Sequence, residues 1–375
     1  MSEAALQSLT GGNGALTWAY VDGAGDEPVP TREARRRTVR DALADAGAPD
    51  ADIAAIDGAL EDAGGVPSPS ARYLAARGGA LIVDEHFSGE RLGPEELGHG
   101  PLAPLLPLLR HRSADLLYLV VETTRDGADL RLERAGRSRE VSAESIEGRT
   151  DTLTKVRTGG WSHRRFHARA EETWKHNQSE VAEAVDRIVR ERHPRFVAIS
   201  GDVRARQLLL EQLGPTSRDR VVEVDANTRA DGADDDALLA AVSETAEHLL
   251  DDAVSTARDR AAAGDRESGA RGTAEVVAAL QQSQVDTLVL DNRLLEADDT
   301  ILALDAEPWV AVRDDDRLTA GTVATASVAE ALARAAVLTG AEVLVAEERT
   351  EVGEEREERV PEPPVALLRW PAAAR

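Results

Sequence analysis

Strand-length apolar runs that alternate with helical stretches limit what this chain can fold into more than any other feature. The runs at 116–121, 196–199 and 221–224 are too short for buried helices, and helical patterns near 164–192, 203–213 and 235–260 follow or separate them. A strand that returns through a helix to a further strand builds a mostly parallel sheet with both faces covered. Residues 128–133 alternate polar and apolar side chains, and the Asp126-Gly127 pair before them makes a tight turn, so they read as the hairpin partner of 116–121. Residues 114–262 are therefore expected to form one α/β domain.

The flanks repeat the pattern on a smaller scale. Residues 1–113 hold a strand at 15–21, helices near 31–46 and 50–63, and a strand at 80–83. The stretch 93–107 contains four prolines and three glycines and is expected to be an irregular connection. Polar and glycine-rich, 263–272 reads as a linker. Beyond it come a helix at 273–283, strands at 287–290 and near 310–312, a helix at 325–339, and strands at 342–345 and 365–370, with the acidic run 347–358 as a solvated loop. The expected fold class is α/β with three domains, 1–113, 114–262 and 263–375, the last a small α/β sandwich.

Cysteine is absent, which removes disulfides, thiolate metal sites and a cysteine nucleophile together. No apolar run approaches the roughly 20 residues of a membrane-spanning helix, and the first residues lack the pattern of an export signal. A cytoplasmic protein without membrane partners is expected. Only Lys155 and Lys175 are lysines, and the net charge is -25. Such an acidic, lysine-poor composition suits molar salt, where charge is screened within about 3 Å and carboxylates keep a protein hydrated. Bulk acidity then reflects the solvent, and local departures from it carry the information about partners.

The segment 155–169 departs furthest. It holds Lys155, Arg157, Arg164, Arg165 and Arg169 together with His163 and His167, and no acid. Gly159 and Gly160 allow close backbone approach to a ligand, Trp161 offers a face on which a base could stack, and Ser162 adds a hydroxyl. These residues form a candidate RNA-binding loop. The alternative is a loop whose arginines pair with neighbouring acids. His163 and His167 have the four-residue spacing of a two-histidine metal site, but Arg164 stands where a metalloprotease needs glutamate and the surrounding cations repel a metal. The run Asp231, Asp234, Asp235, Asp236 lacks the later glutamate of a calcium loop and fits a solvated helix start. Nucleotide-binding glycine motifs and a Gly-x-Ser-x-Gly elbow are missing. No metal and no cofactor are expected.

The stretch 155–190 resembles the middle domain of the archaeal and eukaryotic class 1 peptide chain release factors, where a basic loop carries Gly-Gly-Gln followed by a serine, an Arg-Phe pair and an arginine-rich helix. Gly159, Gly160, Ser162, Arg165 and Phe166 fall on the matching positions. The resemblance extends over roughly 115–375, through 272–292 and 338–343 to 368–370. It is closest to the shortened prokaryotic branch that includes Balon-type ribosome hibernation factors and peptidyl-tRNA hydrolase-like relatives.

The resemblance implies a ribosome partner, contacted through rRNA and P-site tRNA, delivery by a translational GTPase or elongation factor, and action as a monomer. It implies a factor that occupies the A site in a tRNA-like manner, with the Gly-Gly-Trp loop near the peptidyl transferase centre, in hibernation or on stalled ribosomes. The other reading is a peptidyl-tRNA hydrolase or tRNA-end-cleaving rescue enzyme, with Gly159, Gly160 and Trp161 as the candidate catalytic loop. Trp161 replaces the family's glutamine, and an indole offers one N–H donor and no acceptor, so amide chemistry is lost there while a backbone N–H remains. The first domain shows neither Asn-Ile-Lys-Ser nor Tyr-x-Cys-x-x-x-Phe, the family's codon-reading motifs, so stop-codon reading is not expected.

Overall fold

A computed structural model describes residues 3–11, 14–25, 27–62, 66, 68–113, 116–135, 137–147, 161–225, 236–263, 268–295, 297–347 and 361–370. The first segment runs α1 (Glu3–Thr10), β1 (Leu16–Asp22), α2 (Val29–Asp45), α3 (Asp50–Glu61), β2 (Ser70–Arg77), β3 (Ala80–Ser88), β4 (Glu96–Gly100) and α4 (Leu106–Ser113). The middle segment runs β5 (Leu117–Thr124), β6 (Gly127–Arg134), β7 (Arg137–Glu147), α5 (Trp161–Arg192), β8 (Phe196–Gly201), α6 (Val203–Gln212), α7 (Pro215–Arg218), β9 (Val221–Glu223) and α8 (Asp236–Ala263). The last segment runs β10 (Gly269–Arg271), α9 (Thr273–Gln281), β11 (Val285–Asp291), β12 (Thr300–Leu304), β13 (Val310–Ala311), β14 (Thr322–Ser327), α10 (Val328–Leu338), β15 (Glu342–Ala346) and β16 (Val365–Leu368).

These elements assemble into two compact units, one joining Met1–Ala114 to Leu249–Arg375 and the other formed by Asp115–His248. The first and last segments, expected as separate domains, share a unit because they share a hydrophobic core. Leu6, Tyr20, Tyr73, Phe87 and Leu108 of the first lie in one cluster with Val276, Leu288, Leu332 and Val343 of the last.

In the joint unit, an antiparallel sheet of order β3-β2-β1-β4 buries Tyr20 and Tyr73 on one face and Ala19, Val21 and Leu74 on the other, where α2 and α3 cover it. The last segment adds a sheet of order β10-β16-β11-β15 and a small one of order β13-β12-β14. Two expectations are corrected here. The stretch 93–107 holds strand β4, which fits between Pro94 and Pro101 as an edge partner of β1. A Cβ on Gly98 would lie 2.5 Å from Trp18 Cζ2, so the glycine lets the indole lie against the strand. Within the expected linker, Gly269–Arg271 pairs with β16, and residues 264–267 lie outside the described residues.

The Asp115–His248 unit is built on a five-stranded sheet of order β7-β6-β5-β8-β9. Pairs β5–β8 and β8–β9 are parallel, whereas β5–β6 and β6–β7 are antiparallel. The sheet is thus mixed, because β7, which has no apolar run to betray it, extends the β5–β6 hairpin into a meander.

Glu330 on α10 ties the joint unit together. Its carboxylate accepts the backbone N–H of Leu105 at 2.5 Å and of Leu106 at 3.3 Å, reaching across from the last segment to the start of α4. Burial pushes this carboxyl up to about 7; the two N–H donors and Arg334 pull it down and Glu96 pushes it further up. Tyr73, fully buried, also feels its charge. A folded pKa above the unfolded value means that the native state holds the extra proton, so stability from this group is present at low pH and falls as pH rises toward and through 7. The joint unit is expected to lose up to about 3 kcal/mol between pH 5 and 8 from this group. Denaturant unfolding at the two pH values should show that slope in the wild type and a flatter one in Glu330→Gln; equal slopes would remove Glu330 as its source.

Candidate nucleic-acid interface

Helix α5 organises the candidate site. It contains 32 residues, about 48 Å of helix, and its second half carries the apolar stripe Val181, Ala182, Val185 and Val189. That stripe packs with Leu119 and Val121 of β5, Val197 and Ile199 of β8, and Leu209 of α6. Asp186, on the same half, accepts from Gly214 N at 3.1 Å and from Ser217 Oγ at 2.5 Å, joining the start of α7 to the helix.

Where the stripe ends, two fully buried amides fasten the helix to the β5–β6 turn. Gln178 Oε1 accepts from Thr123 Oγ1 at 2.9 Å, and its Nε2 donates to the Thr124 carbonyl at 2.7 Å. Asn177 Nδ2 donates to the Arg125 carbonyl at 3.2 Å. Buried amides satisfied in this way fix orientation as well as depth, since their donors and acceptors match in one geometry only.

One turn earlier, Trp174 lies 4.7 Å beneath the Arg125 guanidinium, which reaches Asp202 at 3.2 Å. Asp202 caps α6 by accepting from Arg204 N and Ala205 N, each at 3.0 Å. Burial alone would raise the Asp202 carboxyl, yet the Ala205 N–H, Arg125 and the Arg204 N–H hold it below the usual carboxylate range. Gly201 just before it has φ 112°, and a Cβ there would meet the Thr123 carbonyl oxygen at 2.0 Å, so β5 and β8 close on each other only with glycine. Arg204 pairs with Glu171 on α5.

Trp161, Ser162, His163, Arg164, Arg165, His167 and Arg169 lie along the first three turns of α5. Trp161 is the first described residue of α5. Lys155, Arg157, Gly159 and Gly160 lie outside the described residues, as does most of the aspartate run before α8. Among the described residues, no group of three or more His, Asp or Glu is placed to hold a metal ion, and no helix is long and apolar enough to cross a membrane.

The sequence reading missed the fastening residues Asn177, Gln178, Trp174, Arg125 and Asp202. One signal for them exists: Gln178 stands three, seven and eleven residues before Val181, Val185 and Val189, so a polar side chain occupies the buried register of an apolar stripe.

Residues 117–289 match the model of bacterial archaeo-eukaryotic release factor family 2. An uncharacterized protein of Mycobacterium tuberculosis strain H37Rv, Rv2629, is 30% identical over 321 residues, covering 84% of this chain and 83% of the relative. The chain belongs to this release factor family. Solved structures similar to it include Archaeoglobus fulgidus Pelota, 14% identical with a TM-score of 0.37, covering 81% of this chain and 80% of that one. Saccharomyces cerevisiae Dom34 is 11% identical with a TM-score of 0.38, covering 83% and 82%. A model of ribosome-bound archaeal Pelota and ABCE1 gives 15%, a TM-score of 0.40, and coverage of 99% and 94%.

The family's matched region contains the whole of α5 and its fastening. Gln178→Leu removes both Gln178 bonds while keeping the volume, and is expected to destabilise the Asp115–His248 unit by about 2–3 kcal/mol. Hydrogen exchange should show the loss in β5, β8 and α5 and leave β1 and β2 unchanged; uniform protection in the variant would mean that the amide does not hold the helix.

Proposed function

We propose that this family member is a ribosome-binding factor that occupies the A site in a tRNA-like manner, with the Gly-Gly-Trp loop near the peptidyl transferase centre, in hibernation or on stalled ribosomes. The observation that carries the reading is the position of the basic, acid-free segment in a release factor family member: Arg164, Arg165 and Arg169 stand at the head of α5, whose other half is sunk in a core. About 24 Å of helix separates Trp161 from the buried Asn177, enough to hold a contact region away from the body that supports it. In this reading Lys155, Arg157, Arg164, Arg165 and Arg169 meet phosphates, His163, His167 and Ser162 add polar contacts, and Trp161 stacks on a base. The factor works in the cytoplasm as a monomer, and a translational GTPase delivers it.

Changing Arg157, Arg164 and Arg165 together to Glu should abolish cosedimentation with ribosomes at matched salt while the unfolding midpoint stays close to that of the wild type. Unchanged binding would take this segment out of the contact.

The second, hydrolytic reading is a peptidyl-tRNA hydrolase that works through the backbone N–H at Trp161, set toward a developing oxyanion. The two readings part on Trp161 variants. An occupant loses stacking of about 1–3 kcal/mol in Trp161→Ala, roughly 5- to 150-fold in affinity, and gains no fast hydrolysis in Trp161→Gln. A hydrolase working through the N–H keeps its turnover in Trp161→Ala and loses it in Trp161→Pro. Ester hydrolysis on ribosomes carrying peptidyl-tRNA, with binding measured in parallel, separates them; robust wild-type turnover lost only in the proline variant would end the occupant reading.

A further inference from the structure

The unit formed by the first and last segments contains a cleft of about 1410 Å³ whose walls include the outer strands of two different sheets. β14 ends the sheet of order β13-β12-β14, and β4 ends the sheet of order β3-β2-β1-β4. Ala324, Thr325, Ala326 and Ser327 line the cleft one after another. Side chains alternate across a strand, so a sheet face would contribute every second residue. Four in succession mean that the cleft runs along the backbone edge of β14.

Which backbone groups lie on that edge follows from the ladder. In an antiparallel pair every second residue bonds to the one opposite, and the residues between turn their N–H and C=O away. The Val328 N–H donates to the Asp299 carbonyl at 3.0 Å, so, counting back in twos, Ala326 opposite Ile301 and Ala324 opposite Ala303 are bonded couples. Thr325, opposite Leu302, falls between them. The other side of β12 agrees: the Leu304 N–H donates to the Trp309 carbonyl at 2.9 Å, which turns Leu302 toward Ala311 of β13. The N–H and C=O of Thr325 therefore point out of the sheet, and among the described residues no hydrogen bond reaches them.

The same count holds for β4. The Gly23 N–H donates to the Ser70 carbonyl at 2.7 Å, which turns Thr17 toward β2 and Trp18 toward β4. Gly98, opposite Trp18, then faces β1, and His99, which lines the cleft, has its backbone groups on the outer edge. Edge strands that must stay unpaired are blocked by proline, charge or a covering element. β14, Thr-Val-Ala-Thr-Ala-Ser, carries neither proline nor charge in a chain with 30% charged residues.

The side chains around the cleft set the charge of what fits. Arg110 is held at two points by Glu347, at 2.7 and 2.6 Å, and Arg293 by Asp291, at 2.9 and 2.5 Å. Glu96 and Glu330 add carboxylates beyond those pairs. We propose that the cleft binds an extended, basic segment of a partner protein, which adds a strand to β14 by pairing with the N–H and C=O of Thr325 and lays an apolar side chain against Trp18. Acidic walls disfavour an RNA strand there. The site is separate from α5, and its test does not depend on ribosome binding.

The experiment selects binders of the full chain from a library of random decapeptides displayed on phage, then measures the enriched peptide by calorimetry and by amide hydrogen exchange. Exchange in the free protein should be faster at Thr325 than at Ala324 and Ala326, and the bound peptide should slow it at Thr325. N-methylation of alternate peptide residues should weaken binding at least tenfold in one or both of the two phases. Thr325→Pro should weaken it at least tenfold while the variant melts close to the wild type, because an outward N–H is absent from the ladder; Ala326→Pro, which removes a ladder bond, should melt lower. No enriched peptide with saturable binding, a bound peptide that leaves Thr325 exchange unchanged, or affinity insensitive to N-methylation in both phases would each overturn the proposal. So would a decameric RNA that takes the peptide's place at Thr325. The exchange and N-methylation measurements use the wild type alone, so they stand whether or not the variants fold.

Discussion

The two hydrogen bonds of Gln178 are the constraint on which the candidate interface depends. A helix that packs by an apolar stripe alone can slide or rotate by a fraction of a turn at small cost, since dispersion and burial are not directional. An amide sealed between Thr123 Oγ1 and the Thr124 carbonyl cannot, because either displacement would leave buried polar atoms unpaired. Asn177 repeats the device one residue earlier, and the Arg125 plate over Trp174 continues it toward the head of α5. The direction in which the helix carries Trp161 is therefore set at its middle, some sixteen residues away along a nearly rigid rod.

The joint unit solves a different problem in an acidic chain, namely where to put carboxylates that cannot all face water. Many are matched to arginine by two-point contacts: Arg72 with Asp84, Arg36 with Asp57, Arg110 with Glu347. Arginine serves here because its planar fork fits a carboxylate and tolerates burial better than an ammonium does. Glu330 is handled otherwise, with backbone donors at the start of α4, and this links residues more than two hundred apart in the chain. The shared core and this carboxylate explain why the outer segments fold as one body although each carries its own sheet.

The elements with strong periodicity were legible in the sequence. Strands β1, β5, β8 and β15 and helices α2, α3, α5, α9 and α10 lie where apolar spacing puts them, and the β5–β6 hairpin forms as expected, although its two turn residues are Arg125 and Asp126, one position before the expected Asp126-Gly127, because Gly127 already pairs with Thr124. What escaped has physical reasons. Strand β7 alternates polar residues with few apolar ones, β4 is a short edge strand between prolines, and β2 is an alanine and arginine run whose burial comes from tertiary packing. The union of the outer segments could not be read because a shared core is a property of contacts far apart in sequence. At the candidate site, the basic segment announced itself by its missing acids, whereas its fastening rested on ordinary-looking Asn, Gln and Thr residues.

Membership in a release factor family gives this geometry its context, and the proposed function rests on where α5 carries its basic end. Imaging of ribosomes saturated with the protein is the most direct measurement. The account predicts density for α5 with its Trp161 end inside the peptidyl transferase centre and the indole against a nucleobase. A complex in which that end of α5 points into solvent, or ribosomes that carry no bound protein, would contradict it.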